Sequence, residues 1–205
     1  MTNDKLIYDT AIKARFTPTA AKLVVAQARL ESADYTSAVF RNNNATSGMK
    51  YIGQPLARRG TLAPYKERSD RCKAVTQNQV GGFGPAPCQN DDYYAAYNSV
   101  ADSASDKINR LYNITKGGVT PEQLRNAKDA DEFAMLLKKR SYYGFGKYGT
   151  DVGNREQYNY ASGLKAKLLR LEAVEFIQKN KVPIGAVLLI AFGVSAYLYF
   201  KFKNK

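Results

Sequence analysis

The sequence predicts a mainly helical α+β domain, with a helical body and a small irregular or hairpin-bearing lobe, followed by one C-terminal transmembrane helix. Three observations carry this expectation. Apolar residues recur at three- and four-residue intervals in several separate segments. Residues 49–90 break that rhythm, being poor in helix signals and rich in Gly, Pro and Thr. Residues 182–200, VPIGAVLLIAFGVSAYLYF, carry no charge and approach the roughly 20 apolar residues that span a bilayer.

Taken in order, residues 11–32 read as a helix, with Leu23, Val24, Ala26, Gln27 and Leu30 on or near one face. Thr17 and Pro18 supply an N-cap and a first-turn proline. Residues 42–48 are a loop, and 49–90 form the irregular lobe, with a hairpin as its candidate regular element. Residues 93–112 return to helical spacing through Tyr94, Tyr97, Val100, Ala104, Ile108 and Leu111. Thr120-Pro121-Glu122 opens a short helix by the same N-cap logic. Residues 129–140, with Phe133, Leu136 and Leu137, form another; 141–151 are a Gly- and Tyr-rich loop. Residues 154–180 read as a long amphipathic helix running toward the apolar segment.

That segment is preceded by Lys179 and Lys181 and followed by Lys201, Lys203 and Lys205. Tyr197 and Tyr199 stand near one end, where interfacial aromatics belong. The first residues carry no apolar signal-peptide core. The expected organisation is a domain over 1–175, a basic juxtamembrane segment over 176–181, the membrane helix over 182–200 and a basic tail over 201–205.

The net charge of +13 favours an anionic partner. The basic residues are spread along the chain with no nucleic-acid-binding motif, so nucleic acid is not the expected partner. An anionic lipid bilayer and a bacterial wall also qualify, and the charge alone does not choose a partner. There is no His, which excludes His-dependent triads and His-ligated metals. Cys72 and Cys88 are too few for a Cys-only zinc site. A disulfide between them would close the loop 73–87 and contribute roughly 3 kcal/mol; two reduced thiols fit the sequence equally. No metal and no cofactor is called for.

Four patches carry a resemblance. Ala26-Gln27-Ala28-Arg29-Leu30-Glu31-Ser32-Ala33 comes first, then Asn43-Asn44-Ala45-Thr46-Ser47-Gly48-Met49-Lys50. Tyr94-Ala95-Ala96-Tyr97-Asn98-Ser99 with Asp102-Ser103 follows, and Tyr148-Gly149-Thr150-Asp151 with Tyr158 comes last. In this order they resemble the glucosaminidase domains of glycoside hydrolase family seventy-three, lysozyme-like peptidoglycan-cutting domains of autolysins and of the flagellar rod-cap protein. The resemblance covers about residues 17–164. Ala33 departs from a family Gly, Ser47 from an aromatic, and Tyr94-Ala95 from a Phe-Arg pair.

The resemblance implies that Glu31 is the general acid that protonates a glycosidic oxygen. An acid that must hold its proton needs apolar neighbours, for which Tyr97 or Tyr148 is the candidate. Read alone, Glu31 is a solvated helix-end carboxylate. The second carboxylate is Glu67 or Asp70, each of which also reads as a surface pair with Arg68 or Arg71; the substrate's own acetamido group could replace it. Tyr148 matches a tyrosine that lines the cleft. Asn43, Asn44, Tyr94, Tyr97 and Tyr158 are candidate sugar-binding residues.

The implied activity is an endo-β-N-acetylglucosaminidase acting on bacterial peptidoglycan. Its expected carrier is the membrane of a bacteriophage particle, with capsid proteins as neighbours and host-wall penetration as its use. The bacterial inner membrane is the alternative location. A lytic transglycosylase or muramidase, or a non-catalytic structural protein of a viral membrane or vertex, is the alternative function.

Overall fold

A computed structural model describes residues 1–76 and 88–180. They are mostly helical, with one two-stranded sheet. The chain divides into Met1–Leu168 and Leu169–Lys205. Every residue that builds the site lies in the first unit; the described part of the second is the remainder of the last helix.

Helix α1 spans Asn3–Lys13, capped by the Thr2 hydroxyl. The expected single helix over 11–32 is in fact two, because Arg15 turns left-handed at φ 69° and Pro18 holds Thr17 in an extended conformation. Helix α2, Pro18–Glu31, starts on the Thr17 cap, as the sequence predicts. Ala20, Ala21, Leu23, Val24, Val25, Ala26 and Ala28 are all buried. A helix covered almost all round is a central core element, and its alanines let neighbours approach closely. Helix α3, Ala38–Asn43, follows on a Ser37 cap.

The lobe holds the sheet. Strand β1, Ala57–Leu62, pairs antiparallel with β2, Tyr93–Tyr97, with a bulge between Arg59 and Leu62. A Cβ on Gly60 would lie 2.4 Å from Asn43 Oδ1 and 2.8 Å from the Tyr94 carbonyl, so only glycine fits there. The helix expected over 93–112 is corrected: Tyr93–Tyr97 is a strand, and helix α5 begins only at Val100, running to Lys107. All five residues of β2 are buried. A strand covered on both faces lacks the period-two signal, and Tyr94, Tyr97 and Val100 mimic helical spacing by coincidence.

Helix α4, Asp70–Val75, is stapled to the strand side by a Cys72–Cys88 disulfide, which packs with Leu62 and Tyr93. Asp92 completes this corner. Its buried carboxylate accepts Ser69 N at 2.5 Å, Ser69 Oγ at 2.8 Å and Gln89 N at 2.7 Å.

Beyond α5, a π turn over Ile108–Tyr112 leads to α6, Pro121–Arg125, opened by a Thr120–Gln123 capping box. Helix α7, Ala130–Lys139, is capped by Asp129. Helix α8 is Asp151–Lys179. The expected membrane segment at 182–200 lies outside the described residues. Among the described residues, no helix is long and apolar enough to cross a membrane.

Candidate active site

Gln27 and Glu31 stand one turn apart on α2, in a helix otherwise packed into apolar core. Buried polar groups in such a setting need partners, or they lose hydration without compensation. Gln27 is fully buried; its amide nitrogen donates to Tyr160 Oη at 2.9 Å and its carbonyl oxygen accepts the Tyr112 hydroxyl.

The Glu31 carboxylate accepts three donors. Lys107 Nζ lies at 2.9 Å and Tyr160 Oη at 2.7 Å, while Tyr142 Oη lies 2.9 and 2.8 Å from its two oxygens. The Glu31 side chain keeps 16% of its surface exposed, whereas that of Lys107 keeps 3%. The carboxylate is therefore backed by a buried cation and open on one side.

Burial pulls the Lys107 ammonium below the ordinary lysine range, and the pull of Glu31 restores only part of this. The ammonium also lies 5.6 Å from the Tyr142 ring centre. Burial first, and then the Glu31 charge, push the Tyr112, Tyr142 and Tyr160 phenols well above the ordinary tyrosine range. They stay protonated and serve as donors.

Tyr142 comes from the loop 141–150, which α7 and α8 clamp. Glu156 of α8 accepts the N–H groups of Phe145 and Gly146, each at 3.0 Å, and the Lys138 ammonium. Lys138 also donates to the Tyr143 carbonyl at 3.1 Å. The Lys138 hydrogen bond first, and then the loop N–H groups, hold the Glu156 carboxyl below the usual range. The Tyr143 ring stacks on Tyr160 with centres 4.0 Å apart.

The chain just after Glu31 is strained. Ala33, Asp34 and Tyr35 have φ of 51°, 54° and 67°, a left-handed run that residues with a Cβ avoid. It is held by Asp34 N to Arg29 O at 2.7 Å, Tyr35 N to Ser32 Oγ at 3.0 Å and Tyr35 Oη to Asp4 at 2.7 Å. Arg29 joins the same Asp4, and Lys167 joins Asp34 at 2.5 Å. Such over-determined strain clusters at functional sites.

The other predicted residues lie elsewhere. The expectation of Tyr97 or Tyr148 beside Glu31 is corrected: the phenols there are Tyr142 and Tyr160. Tyr97 is buried with its hydroxyl on Asp106 at 2.8 Å, and Tyr148 is 46% exposed beneath Lys139. Asn43 exchanges hydrogen bonds with Thr61, and Asn44 donates to the Tyr97 carbonyl at 3.1 Å, so both amides join α3 to the sheet. Tyr158 is 72% exposed. Glu67 pairs with Lys50 at 3.2 Å rather than with Arg68 or Arg71, and accepts the Tyr94 hydroxyl at 3.4 Å. Burial and this carboxylate push Tyr94 up to about 12. Asp70 stands in open solvent, paired with Lys73. Among the described residues, none of these groups hydrogen-bonds to Glu31.

Cys72, Cys88 and Asp92 lie close together. Both sulfurs are bonded to each other and Asp92 is held by Ser69 and Gln89, so the trio has no thiolate to offer a metal.

No protein-family model matches the chain, and no curated protein sequence does. Two solved structures are similar. One is a type VI secretion system effector–immunity complex from Pseudomonas protegens, at TM-score 0.42 and 17% identity, covering 80% of this chain and 94% of that one. The other is the catalytic domain of the autolysin Auto from Listeria monocytogenes, at TM-score 0.46 and 21% identity, covering 84% of this chain and 82% of that one.

Proposed function

We propose that the chain is a glycoside hydrolase that cuts the glycan strand of bacterial peptidoglycan, as an endo-β-N-acetylglucosaminidase with Glu31 as general acid. The observation that carries this reading is the Glu31 carboxylate, sheltered at a helix end, backed by buried Lys107 and open on one side. The proton moves from Lys107 Nζ to Glu31 and then to the glycosidic oxygen as its bond to the anomeric carbon breaks. Water adds to that carbon and returns a proton to the Glu31–Lys107 pair, so one water is consumed and two hydroxyl ends form. Tyr142 and Tyr160 hold the carboxylate in place.

Among the described residues, no second carboxylate joins this cluster. That favours the substrate's acetamido oxygen as internal nucleophile, bonding to the anomeric carbon as the glycosidic bond breaks and released again when water adds there, with Glu67 rather than solvent-exposed Asp70 as the candidate second carboxylate. The same feature fits a lytic transglycosylase, which needs one acid and closes the sugar on itself. The net charge of +13 suits an anionic wall.

The apolar run at 182–200 extends the proposal to a single membrane anchor, with the membrane of a bacteriophage particle as carrier. The deciding experiment is mass spectrometry of peptidoglycan digested by the full chain in detergent. New reducing N-acetylglucosamine ends support the glucosaminidase. Anhydro ends identify a transglycosylase, and the absence of released fragments overturns the hydrolase reading.

A further inference from the structure

A second feature lies where the lobe meets the helical body. A cavity of 380 Å³ is lined from the lobe by Lys50 and from the body by Arg110, Lys116 and Arg140, with Leu111 and Ile114 as its apolar floor. No Asp or Glu lines it. Lys50 is balanced by Glu67 at 3.2 Å and Arg110 by Asp106 at 3.1 Å. Lys116 and Arg140 make no ion pair among the described residues.

Arg140 is the more telling of the two. It is 4% exposed. Its Nη2 donates to the Ile114 carbonyl at 2.8 Å, while its Nη1 is buried with no hydrogen-bond partner among the described residues. Burial lowers its hold on its proton, although a guanidinium stays charged in proteins. A buried charge without a counter-charge is costly and is ordinarily neutralised by a partner. Arg140 caps the C-terminus of α7, two residues before Tyr142, and Tyr112 feels the charges of both Glu31 and Arg140. The cavity is thus linked to the Glu31 cluster through the end of α7, where Arg140 and Tyr142 stand two residues apart.

We propose that this cavity binds a carboxylate of the peptide carried by the glycan strand, with Arg140 and Lys116 as its cationic donors. The proposal rests on the reading of Glu31 as a glycan-cutting acid. The size and lining fit: one anionic group meets the guanidinium and the ammonium, and an aliphatic peptide side chain covers Leu111 and Ile114. The site then selects peptide-bearing over bare glycan.

The test measures KM of the full chain in detergent on two substrates, peptidoglycan strands with their peptides and the same strands stripped of peptides by an amidase, with the lactyl carboxylates so exposed capped as amides. The wild type is expected to show a KM about tenfold lower for the peptide-bearing strand, the factor that one charge-assisted hydrogen bond supplies. Lys116→Glu, at an exposed position, and Arg140→Lys should each shrink that preference to about twofold or less. Should Arg140→Lys fail to fold, Lys116→Glu alone decides. Capping the peptide carboxylates as amides should abolish the preference as well. Equal KM values on both strands, or a preference that Lys116→Glu and amidation leave intact, overturn the site while leaving the Glu31 reading standing. No cleavage of either strand overturns the Glu31 reading itself, and the site falls with it.

Discussion

Ala33 follows Glu31 and Ser32 at φ 51°, where a Cβ crowds the backbone and only glycine is at ease. Ala33→Gly removes that crowding but frees the unfolded chain, so the net gain is expected at about 0.5 kcal/mol, a rise of one or two degrees in melting temperature. A lower melting temperature would mean that the neighbouring hydrogen bonds need the alanine. Asp92 gives the pH prediction. Burial would raise its carboxyl, but Ser69, Gln89 and Lys50 outweigh this and hold it below the usual range. Its folded value thus lies below the unfolded one, near 3.9, so its contribution is complete above about pH 4 and fades as pH falls through the folded value. Denaturant titrations should show wild type losing stability below pH 4, and Asp92→Asn being about 2 kcal/mol weaker at neutral pH with a flatter acid limb. Parallel pH curves would contradict this. At this scale the sequence marks Glu31 as a candidate through its motif, whereas its hydrogen-bond partners Lys107, Tyr142 and Tyr160 come from three distant segments with no local signature. The available hint was Gln27 and Glu31 on one turn of an apolar helix, two polar groups that required polar partners from elsewhere.

Among the elements, the 141–150 loop is the one whose order the site depends on. Glu156 ties two of its N–H groups and the Lys138 ammonium together, and a Cβ on Gly144 would come 2.2 Å from the same carboxylate. Glu156→Gln leaves the shape but weakens the charged bonds, so Tyr142 loses its fixed place beside Glu31. Steady-state kinetics on peptidoglycan should show kcat lowered by about tenfold with KM little changed; an unchanged kcat would mean that the loop is held by packing alone. Two helix starts were legible, because Thr17 and Thr120 act on N–H groups within three residues of themselves. Strand β2 was not, since its identity depends on β1, more than thirty positions earlier, and on cover over both faces. The charged residues Arg58 and Arg59 of β1 gave no apolar alternation to announce the partner.

For the molecule as a whole, the mainly helical body and the lobe were readable from composition, because Gly, Pro and Thr interrupt helical periodicity over one stretch. The choice between disulfide and thiols was not, since spacing alone does not bring two sulfurs together. The Cys72–Cys88 bond pins the lobe and should contribute about 3 kcal/mol. Reduction under native conditions is expected to lower the melting temperature by several degrees, and thiol labelling should detect no free cysteine before reduction; labelling of the untreated protein would contradict the bond. In the proposed reaction the Glu31–Lys107 pair supplies the proton for glycan cleavage. Removing Glu31 alone strands a buried ammonium, at a cost of about 3–5 kcal/mol, which confuses loss of fold with loss of chemistry. The most direct measurement is therefore the glycan-cleavage rate of the Glu31→Gln/Lys107→Met double variant, with both buried charges replaced together. The expected rate is at least about a hundredfold below wild type in a chain that melts as a folded protein; cleavage at the wild-type rate would rule out this pair as the proton source.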